Sequence, residues 1–332
     1  MKNKKIFGKN FYQKPASAKK FFVTGGAGFI GGHLVERLLE GNSVTVYDNL
    51  SSGRKEFLEK CDGKKNFSFV KADLLDFSRL QQEMKGHDFV WHLSANPDIL
   101  AGMGNPELDL KQGTIASFNV LEAMRLNNVK QIAFSSTSAV YGEPTVFPTP
   151  ENYGPMQPIS FYAASKLASE ALITAYAHNF GWRSWIFRFA NIVGRRATHG
   201  VIFDFIEKLK KNRDELLVLG NGKQKKSYVY ADELIDAMLF AVESSREQVN
   251  LFNIASKDNI SVKEIAEIVL KKAGLSKTKI KYTGTERGWP GDVTFMNLDA
   301  SQLGKLGWNA RLSSRQAVER TVVELLKELD FK

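Results

Sequence analysis

The stretch from Phe21 to Leu39 constrains the fold of this chain more than any other part of it. It opens with an apolar run at 21–23, which is typical of a strand buried on both faces. A glycine-rich segment follows, and apolar residues then recur at Ile30, Leu34 and Leu38, the spacing of one helical face. The order of strand, glycine turn and helix predicts the first unit of a parallel sheet.

The glycines of this turn indicate what it binds. Together Gly25, Gly28 and Gly31 let the chain turn sharply, let a diphosphate approach backbone N–H groups, and let the helix pack close to its strand. A glycine loop can also be a plain turn, so the triplet alone leaves both interpretations open.

Asp48 adds a second observation. It ends the next predicted strand, 43–47, and follows the middle glycine by about twenty residues, where an acidic side chain meets a ribose 2′-hydroxyl. A carboxylate there accepts hydrogen bonds from a free diol and repels a 2′-phosphate. The spacing therefore favours NAD over NADP, although Asp48 could instead merely begin the turn 48–53.

Further apolar runs alternate with amphipathic segments. Strands are predicted at 67–70, 89–93 and 131–135, and a helix at 108–127. This alternation predicts the α/β class, a Rossmann-type doubly wound parallel sheet with its ligand at the carboxyl ends of the strands. Further along the chain, Ser261 with Glu264 three residues later predicts a capped helix.

The 332-residue chain is predicted to divide into three parts. We expect a basic, flexible extension at 1–18, an NAD-binding domain at 19–190, and a smaller mixed α/β substrate domain at 191–332, with a segment near 225–255 returning to the NAD-binding domain. Much of the formal net charge of +10 comes from lysines near the N-terminus. These are Lys2, Lys4, Lys5, Lys9, Lys14, Lys19 and Lys20.

Composition argues against several other classes. The basic residues are not interleaved with aromatic ones, so we expect no nucleic-acid partner. The five histidines show no paired ligand spacing, so we expect no metal. No apolar run approaches the roughly 18 residues of a membrane span. With Cys61 as its one cysteine, the chain is compatible with a reducing compartment, and we expect it in the cytoplasm.

Two stretches carry candidate chemistry. Residues 135–142 are rich in hydroxyl groups at a strand's carboxyl end, and 161–166 opens a helix in which Tyr162 and Lys166 share one face. An ammonium beside a phenol lowers the phenol's pKa and makes it usable as a general base. A Tyr and a Lys four residues apart can also be a simple exposed pair, and only the preceding motifs favour the catalytic interpretation.

Taken together, the motifs TGGAGFIG, DNLSSG, ADL, HLSA, SSTSAVYG and YAASK resemble those of the extended short-chain dehydrogenase/reductase family, within it the nucleotide-sugar epimerases. The resemblance implies that Tyr162 is the catalytic base, that Lys166 holds the nicotinamide ribose and that Thr137 bonds the reacting sugar oxygen. It implies the following cofactor contacts: Gly25, Gly28, Phe29, Ile30, Gly31, Asp48, Asn49, Asp73, Leu74, Leu93, Ser135, Tyr162 and Lys166. Gly113 stands where the family usually has Asn.

The resemblance also implies a site for a nucleoside-diphosphate sugar, most often a UDP-hexose. The substrate contacts would be Thr137, Asn191, Val201, Lys226, Arg287 and Asp292. Lys226 replaces the usual Arg, and Leu219 stands where some relatives stack a Phe on the base. Met296 falls where the family tunes its tolerance for an acyl group on the sugar. The pair Arg195 and Arg196 could equally bind an anion or form a solvated turn.

The resemblance narrows the reaction as well. Relatives that dehydrate or decarboxylate a sugar carry Glu where this chain has Ala139. We therefore expect UDP-glucose/UDP-galactose 4-epimerisation through a transient 4-keto sugar. The alternatives are epimerisation of a UDP-N-acetylhexosamine or a UDP-uronate, a net NAD-dependent dehydrogenase or reductase, and a non-enzymatic sugar-nucleotide or NAD(H)-binding regulator. The small residues Ala164, Ala168, Ala171 and Ala175 lie on a surface that joins two subunits in the family, so we also expect a homodimer.

Overall fold

The computed structural model describes residues 18–289 and 291–331. Its strands, in chain order, are β1 (Lys20–Thr24), β2 (Ser43–Asp48), β3 (Phe67–Lys71), β4 (Phe89–His92), β5 (Gln131–Thr137), β6 (Arg183–Phe189), β7 (Asn191–Val193), β8 (Glu215–Val218), β9 (Lys225–Lys226), β10 (Tyr228–Tyr230), β11 (Val249–Ile254), β12 (Ile260–Ser261), β13 (Lys279–Tyr282) and β14 (Phe295–Met296).

Its α-helices are α1 (Phe29–Leu38), α2 (Phe77–Glu83), α3 (Ile99–Gly104), α4 (Pro106–Asp109), α5 (Ala116–Leu126), α6 (Phe161–Phe180), α7 (Val201–Lys211), α8 (Ala231–Ser244), α9 (Val262–Lys272), α10 (Ser301–Leu306) and α11 (Ser314–Glu328). Short 3₁₀ helices span Lys55–Leu58 and Ser138–Tyr141, and a π-helix spans Leu110–Ile115.

A seven-stranded sheet dominates the fold, in the order β11-β6-β5-β4-β1-β2-β3 with every pairing parallel. The chain runs outward from β1 to β2 and β3 on one side, and from β4 to β5, β6 and β11 on the other. The order therefore reverses between β1 and β4, and this switch point opens a crevice at the strands' carboxyl ends. The predicted Rossmann-type doubly wound sheet is confirmed.

Helices cover both faces of this sheet because successive strand residues point to opposite sides. On one face Val23 of β1 packs in the same cluster as Leu34 of α1. On the other, Phe22 packs in the same cluster as Leu121 of α5 and Ile173 of α6. Burial of alternate residues on both faces explains why β1 reads as a continuous apolar run.

The second half of the chain adds a smaller mixed α/β unit. It holds a parallel pair (β7 and β10), a three-stranded sheet (β12-β9-β14) and a second parallel pair (β8 and β13). Helices α7, α9 and α11 pack with these strands around a separate apolar cluster that includes Phe205, Ile265 and Val322. Within 225–255, β11 pairs with β6 of the large sheet. We propose the domain boundaries near 18 and 190, as the sequence predicts.

The helix predicted at 108–127 is confirmed as a helical segment, which runs without a break from 106 to 126, but it is not one regular α-helix because the π-helix Leu110–Ile115 lies between α4 and α5. The basic extension at 1–18 lies, apart from Ala18, outside the described residues. Across 18–289 and 291–331, no helix is both long and apolar enough to cross a membrane.

Candidate active site

A crevice of about 960 Å³ opens at the switch point of the sheet, between the large sheet and the smaller unit. It brings together the predicted residues Gly25, Gly28, Phe29, Ile30, Gly31, Asp48, Asn49, Leu74, Leu93, Ser135, Thr137, Tyr162, Lys166, Asn191, Val201, Lys226 and Asp292. Two predicted residues, Asp73 and Arg287, are not part of its lining. Segments far apart in sequence therefore converge on one site.

The glycine turn leaves a bare backbone surface at one end of the crevice. Gly25 has φ +69°, and a Cβ there would come within 2.7 Å of the backbone nitrogen of Ser94. A Cβ on Gly31 would come within 2.2 Å of the carbonyl oxygen of Gly25. No side chain caps α1 at its N-cap residue Gly28, so its first N–H groups stay free to face a bound anion. This cradle fits a diphosphate.

Asp48 is held rigidly at the end of β2. Its carboxylate accepts hydrogen bonds from the backbone nitrogens of Ala27 at 3.0 Å and Leu50 at 2.8 Å. Burial raises the pKa of Asp48, and these two hydrogen bonds counteract the shift. Asp48 thus both begins the turn and lines the crevice. The glycine cradle and this carboxylate together fit the diphosphate and ribose of NAD.

Asp73 lies just outside the crevice lining, beside Asn49 and Leu74. Its carboxylate accepts hydrogen bonds from Asn49 Nδ2 at 2.9 Å and from the backbone nitrogen of Leu75 at 2.9 Å. The phenol of Tyr47 donates to its backbone oxygen at 3.0 Å. These contacts fix Asn49 and Leu74, which do line the crevice. An adenine contact by Asp73 itself stays a prediction.

The candidate catalytic groups lie where α6 meets the end of β5. Ser160 caps α6 by accepting a hydrogen bond from the backbone nitrogen of Ala163, which places Tyr162 and Lys166 in the first two turns. Lys166 is 3% exposed, and its Nζ donates to the carbonyl oxygen of Ser135 at 2.7 Å. Burial lowers the pKa of Lys166 to about 7, while the charge of Glu170 raises it.

The predicted lowering of the phenol's pKa by Lys166 is not found in the protein alone. Burial raises the pKa of Tyr162 to about 12, a hydrogen bond with Thr137 counteracts this, and the charge of Asp109 adds to it. In the protein alone, desolvation of the phenol is therefore the largest effect on its pKa, and Lys166 Nζ donates to the Ser135 carbonyl oxygen.

A buried polar chain supports this corner, and the sequence patterns did not predict it. His92 of β4 bonds through Nδ1 to Thr24 Oγ1 at 2.7 Å and through Nε2 to Ser117 Oγ at 2.9 Å. Ser169 of α6 donates in turn to Ser117 at 2.9 Å. Burial, reinforced by the charge of Lys166, lowers the pKa of His92 to about 3, so the ring is neutral. Of these hydrogen-bonded residues, only Thr24 and His92 lie in motifs noted from the sequence, TGGAGFIG and HLSA.

Gly113 has a clear packing role. A Cβ at this position would come within 2.4 Å of Ser165 Oγ and 2.6 Å of Ser165 Cβ. The carbonyl oxygen of Gly113, in the π-helix, accepts a hydrogen bond from Ser117 at 2.7 Å. Because α6 approaches so closely, the Asn usual in the family would not fit here, and hydroxyl groups fill the space instead.

The two basic side chains predicted to bind the substrate's diphosphate, Lys226 and Arg287, each form an ion pair with a carboxylate. Lys226 Nζ donates to Asp292 Oδ1 at 2.6 Å and lies 5.6 Å from the ring centre of Trp289. Arg287, which is not part of the crevice lining, pairs with Glu143 at 2.5 Å. Trp289 and His199, the latter on the loop before α7, line the crevice, and neither was predicted from the sequence as a site residue. Asn191 and Val201 also line the crevice.

Arg195 and Arg196 are structural. Both form ion pairs with Glu36 of α1, at 3.5 Å and 2.5 Å. Arg196 also lies 5.8 Å from the ring centre of Phe57. Of the two roles left open for this pair, an anion-binding site is therefore disfavoured. In the part of the chain that the structure describes, no three His, Cys, Asp or Glu side chains converge to hold a metal ion.

Comparison with known proteins agrees with this geometry. A "Putative UDP-glucose 4-epimerase" from Methanocaldococcus jannaschii is 33% identical over 90% of this chain and 96% of its own length. A "UDP-N-acetyl-alpha-D-glucosaminuronate decarboxylase" from Bacillus cytotoxicus is 34% identical over 82% of this chain and 85% of its own. A crystal structure of a UDP-galactose 4-epimerase matches with a TM-score of 0.84 and 40% identity, covering 93% of this chain and 99% of that one. The model of the NAD dependent epimerase/dehydratase family matches residues 21–255, and the chain belongs to this family.

Proposed function

We propose that this protein is an NAD-dependent UDP-glucose 4-epimerase. One observation carries the choice among the family's reactions: Ser138 and Ala139, which line the crevice beside Thr137, offer neither an acid nor a base. Dehydration and decarboxylation need such a group after the sugar is oxidised, whereas epimerisation at C4 needs only a base and a reversible oxidant.

The chain's own groups divide the work. Tyr162 takes the proton of the sugar 4-hydroxyl and later returns it, and Thr137 holds the reacting oxygen by a hydrogen bond. Lys166 binds the nicotinamide ribose and favours the phenolate. Bound NAD would supply a reversible hydride acceptor, and the positive charge of its nicotinamide would add to that of Lys166 in favouring the phenolate.

The substrate's diphosphate anchors it at the other wall of the crevice. We propose that Lys226 exchanges its ion pair with Asp292, and Arg287 its ion pair with Glu143, for contacts with the substrate's diphosphate. Asn191 would contact the diphosphate beside them, and Val201 would pack against the nucleotide's uracil. Because a lysine offers a point charge rather than a bidentate fork, this grip is weaker than one with Arg at 226. The anchored sugar ring can then turn over and be reduced on its other face.

The test is proton NMR of the purified protein with UDP-glucose, following the anomeric signal together with absorbance of NADH. We expect UDP-galactose to appear without bulk NADH. Tyr162→Phe should abolish the conversion, whereas Tyr176→Phe, on the same helix but hydrogen-bonded to Glu122 away from the crevice, should retain it. Steady NADH release would instead indicate a net dehydrogenase.

The same assay separates the other candidates. The 34% identity with a decarboxylase means that UDP-glucuronate and its N-acetyl counterpart belong in the substrate panel. Release of CO₂ from either would overturn the argument from Ala139. Met296 is 5% exposed and lines the crevice, so UDP-N-acetylglucosamine is included as the test of a bulkier C2 substituent.

We also propose a homodimer formed through α5 and α6. Large apolar side chains lie exposed on α5, on α6 and on the π-helix that precedes α5: Leu110 (53%), Ile115 (42%), Phe118 (43%) and Phe161 (50%). Such a patch beside the small residues of α6 suits close packing against a second copy. Light scattering should report a dimer, Phe118→Asp should give a monomer, and Val323→Asp, at an exposed site on α11, should not. A monomeric wild type would refute the proposal.

A cytoplasmic location is the last part of this proposal. The lone Cys61 is buried, which is compatible with a reducing compartment. Cell fractionation with an antibody to the chain would test it, and recovery in an exported fraction would contradict it.

A further inference from the structure

A buried ion pair lies one helical turn beyond Lys166, and the reaction described above does not use it. Glu170 of α6 accepts hydrogen bonds from Arg188 of β6, with Nη2 at 2.6 Å and Nε at 3.0 and 3.2 Å. Glu170 is 5% exposed and Arg188 2%. This bidentate geometry fixes the carboxylate in one orientation.

The pair is tied to the strand that carries the active site. Ser136 donates a short hydrogen bond from Oγ to Glu170 Oε1. The neighbouring Ser135 accepts one from Lys166 Nζ. Helix α6 therefore holds two successive residues at the end of β5, directly before Thr137. A shift of Glu170 would move both Lys166 and Thr137.

The charges around Lys166 give Glu170 a second role. Tyr162 and Glu170 each lie four residues from Lys166 on α6, and the charge of Lys166 acts on His92 from β4. Arg188 from β6 pairs with Glu170. His92 is neutral and Arg188 is a cation, so Glu170 is the anion of this set. Burial lowers the pKa of Lys166 to about 7, and the Glu170 carboxylate opposes that effect.

We propose that Glu170, oriented by Arg188, is a positioning residue that keeps Lys166 charged and fixes the end of β5 on which Thr137 lies. The inference rests on the proposed role of Lys166 in the epimerase. It extends that role to a residue that does not line the crevice.

The test measures the titration of Lys166 directly. Trace acetylation of the full chain from about pH 5 to about pH 10, with mass spectrometry of the peptide that contains Lys166, reports the fraction of neutral amine at each pH. For Glu170→Gln we expect the midpoint to fall by about one pH unit. Glu233→Gln removes an equally buried carboxylate of α8, which accepts a hydrogen bond from the backbone nitrogen of Arg311, and it should leave the midpoint unchanged.

A second variant covers the case in which Glu170→Gln, with an unpaired buried Arg188, fails to fold. The double variant Glu170→Gln/Arg188→Met removes both charges at similar volume. Glu170 lies one turn from Lys166 on α6 and raises its pKa, whereas Arg188 lies on β6 and pairs with Glu170. The midpoint should therefore still fall, by less than in the single variant, which leaves the Arg188 charge unpaired. An unchanged midpoint in either folded variant would overturn the proposal.

Protection by NAD separates this inference from the proposed function. Added NAD should protect Lys166 from acetylation in the wild type, as its ribose contact requires. If NAD does not protect Lys166 in the wild type but Glu170→Gln still shifts the midpoint, the role of Lys166 toward NAD is refuted and the electrostatic role of Glu170 is supported. If NAD protects Lys166 but the midpoint does not shift, the role of Lys166 toward NAD is supported and that of Glu170 is refuted.

Discussion

Substitution of Gly113 by alanine should destabilise the protein through a single contact. The added Cβ would lie 2.4 Å from Ser165 Oγ and 2.6 Å from Ser165 Cβ, well inside van der Waals distance. Ser165 cannot simply rotate away, because its Cβ is fixed to α6 and its Oγ donates to the carbonyl oxygen of Tyr162 at 2.8 Å. The helices must therefore separate at the point where α6 presents Tyr162 and Lys166.

The expected cost follows from the packing. Overpacking by one methyl group costs about 1 to 3 kcal/mol, and replacing a helical glycine returns up to about 1 kcal/mol. With an overpacking cost of about 2 kcal/mol and a return of about 1 kcal/mol, we expect a net loss of about 1 kcal/mol. With an unfolding entropy of about 2.1 cal/mol/K per residue, this lowers the melting temperature of a chain of this length by about 1.5 °C.

A double-mutant cycle makes the prediction specific. Ser165→Gly removes both clashing atoms and leaves only its Cα, 3.9 Å from the new methyl group. The combined variant should therefore be more stable than the sum of the two single losses, by about 2 kcal/mol. Gly104→Ala, at the end of α3 where an added Cβ meets nothing within 4 Å, is the matched control and should be as stable as the wild type or slightly more stable. Additive losses, or a Gly113→Ala variant as stable as wild type, would refute the reasoning.

Two further predictions concern the buried polar groups. Folding lowers the pKa of His92 from 6.5 to about 3, so the folded protein keeps this ring neutral where the unfolded chain takes up a proton. The unfolding free energy should therefore be constant in this respect above pH 6.5 and fall as the pH decreases below it. Between pH 6.5 and about 5.5 we expect a fall of about 1 kcal/mol in the wild type and a smaller one in His92→Gln. Asp48→Asn should weaken NAD binding at least about tenfold and reduce the ratio of NAD affinity to NADP affinity, both measured by calorimetric titration. The control Asp62→Asn, at an exposed position, should leave both affinities unchanged. An unaltered affinity ratio in Asp48→Asn would mean that Asp48 is a turn residue only.

Local patterns predicted the features that depend on neighbours in sequence. The glycine turn and Asp48 lie within one βα unit and its following strand, and their spacing determines their geometry. The helix that begins after Ser261 is confirmed with a full capping box, because Ser261 and Glu264 contact each other across a single turn. Tyr162 and Lys166 both line the crevice, as their separation by four residues requires.

Contacts between distant segments could not be predicted in this way. Arg188 and Glu170 come from different elements, and so do His92 and Ser117. Gly113 departs from the family pattern, and only the position of Ser165 on the facing helix explains it. The pKa of Tyr162 was misjudged for the same reason, because the burial that raises it is produced by the assembled fold.

A few side chains in the crevice determine which reaction a member of this family catalyses, whereas the fold depends on the whole chain. A relative named as an epimerase and one named as a decarboxylase are 33% and 34% identical to this chain, so overall identity cannot separate the two chemistries. Both reactions would use the same base, the same ribose contact and the same diphosphate turn. What differs is whether a second acid or base stands beside Thr137 once the sugar is oxidised. At that position Ala139 places a methyl group on the lining of the crevice, and this is why we propose epimerisation rather than decarboxylation.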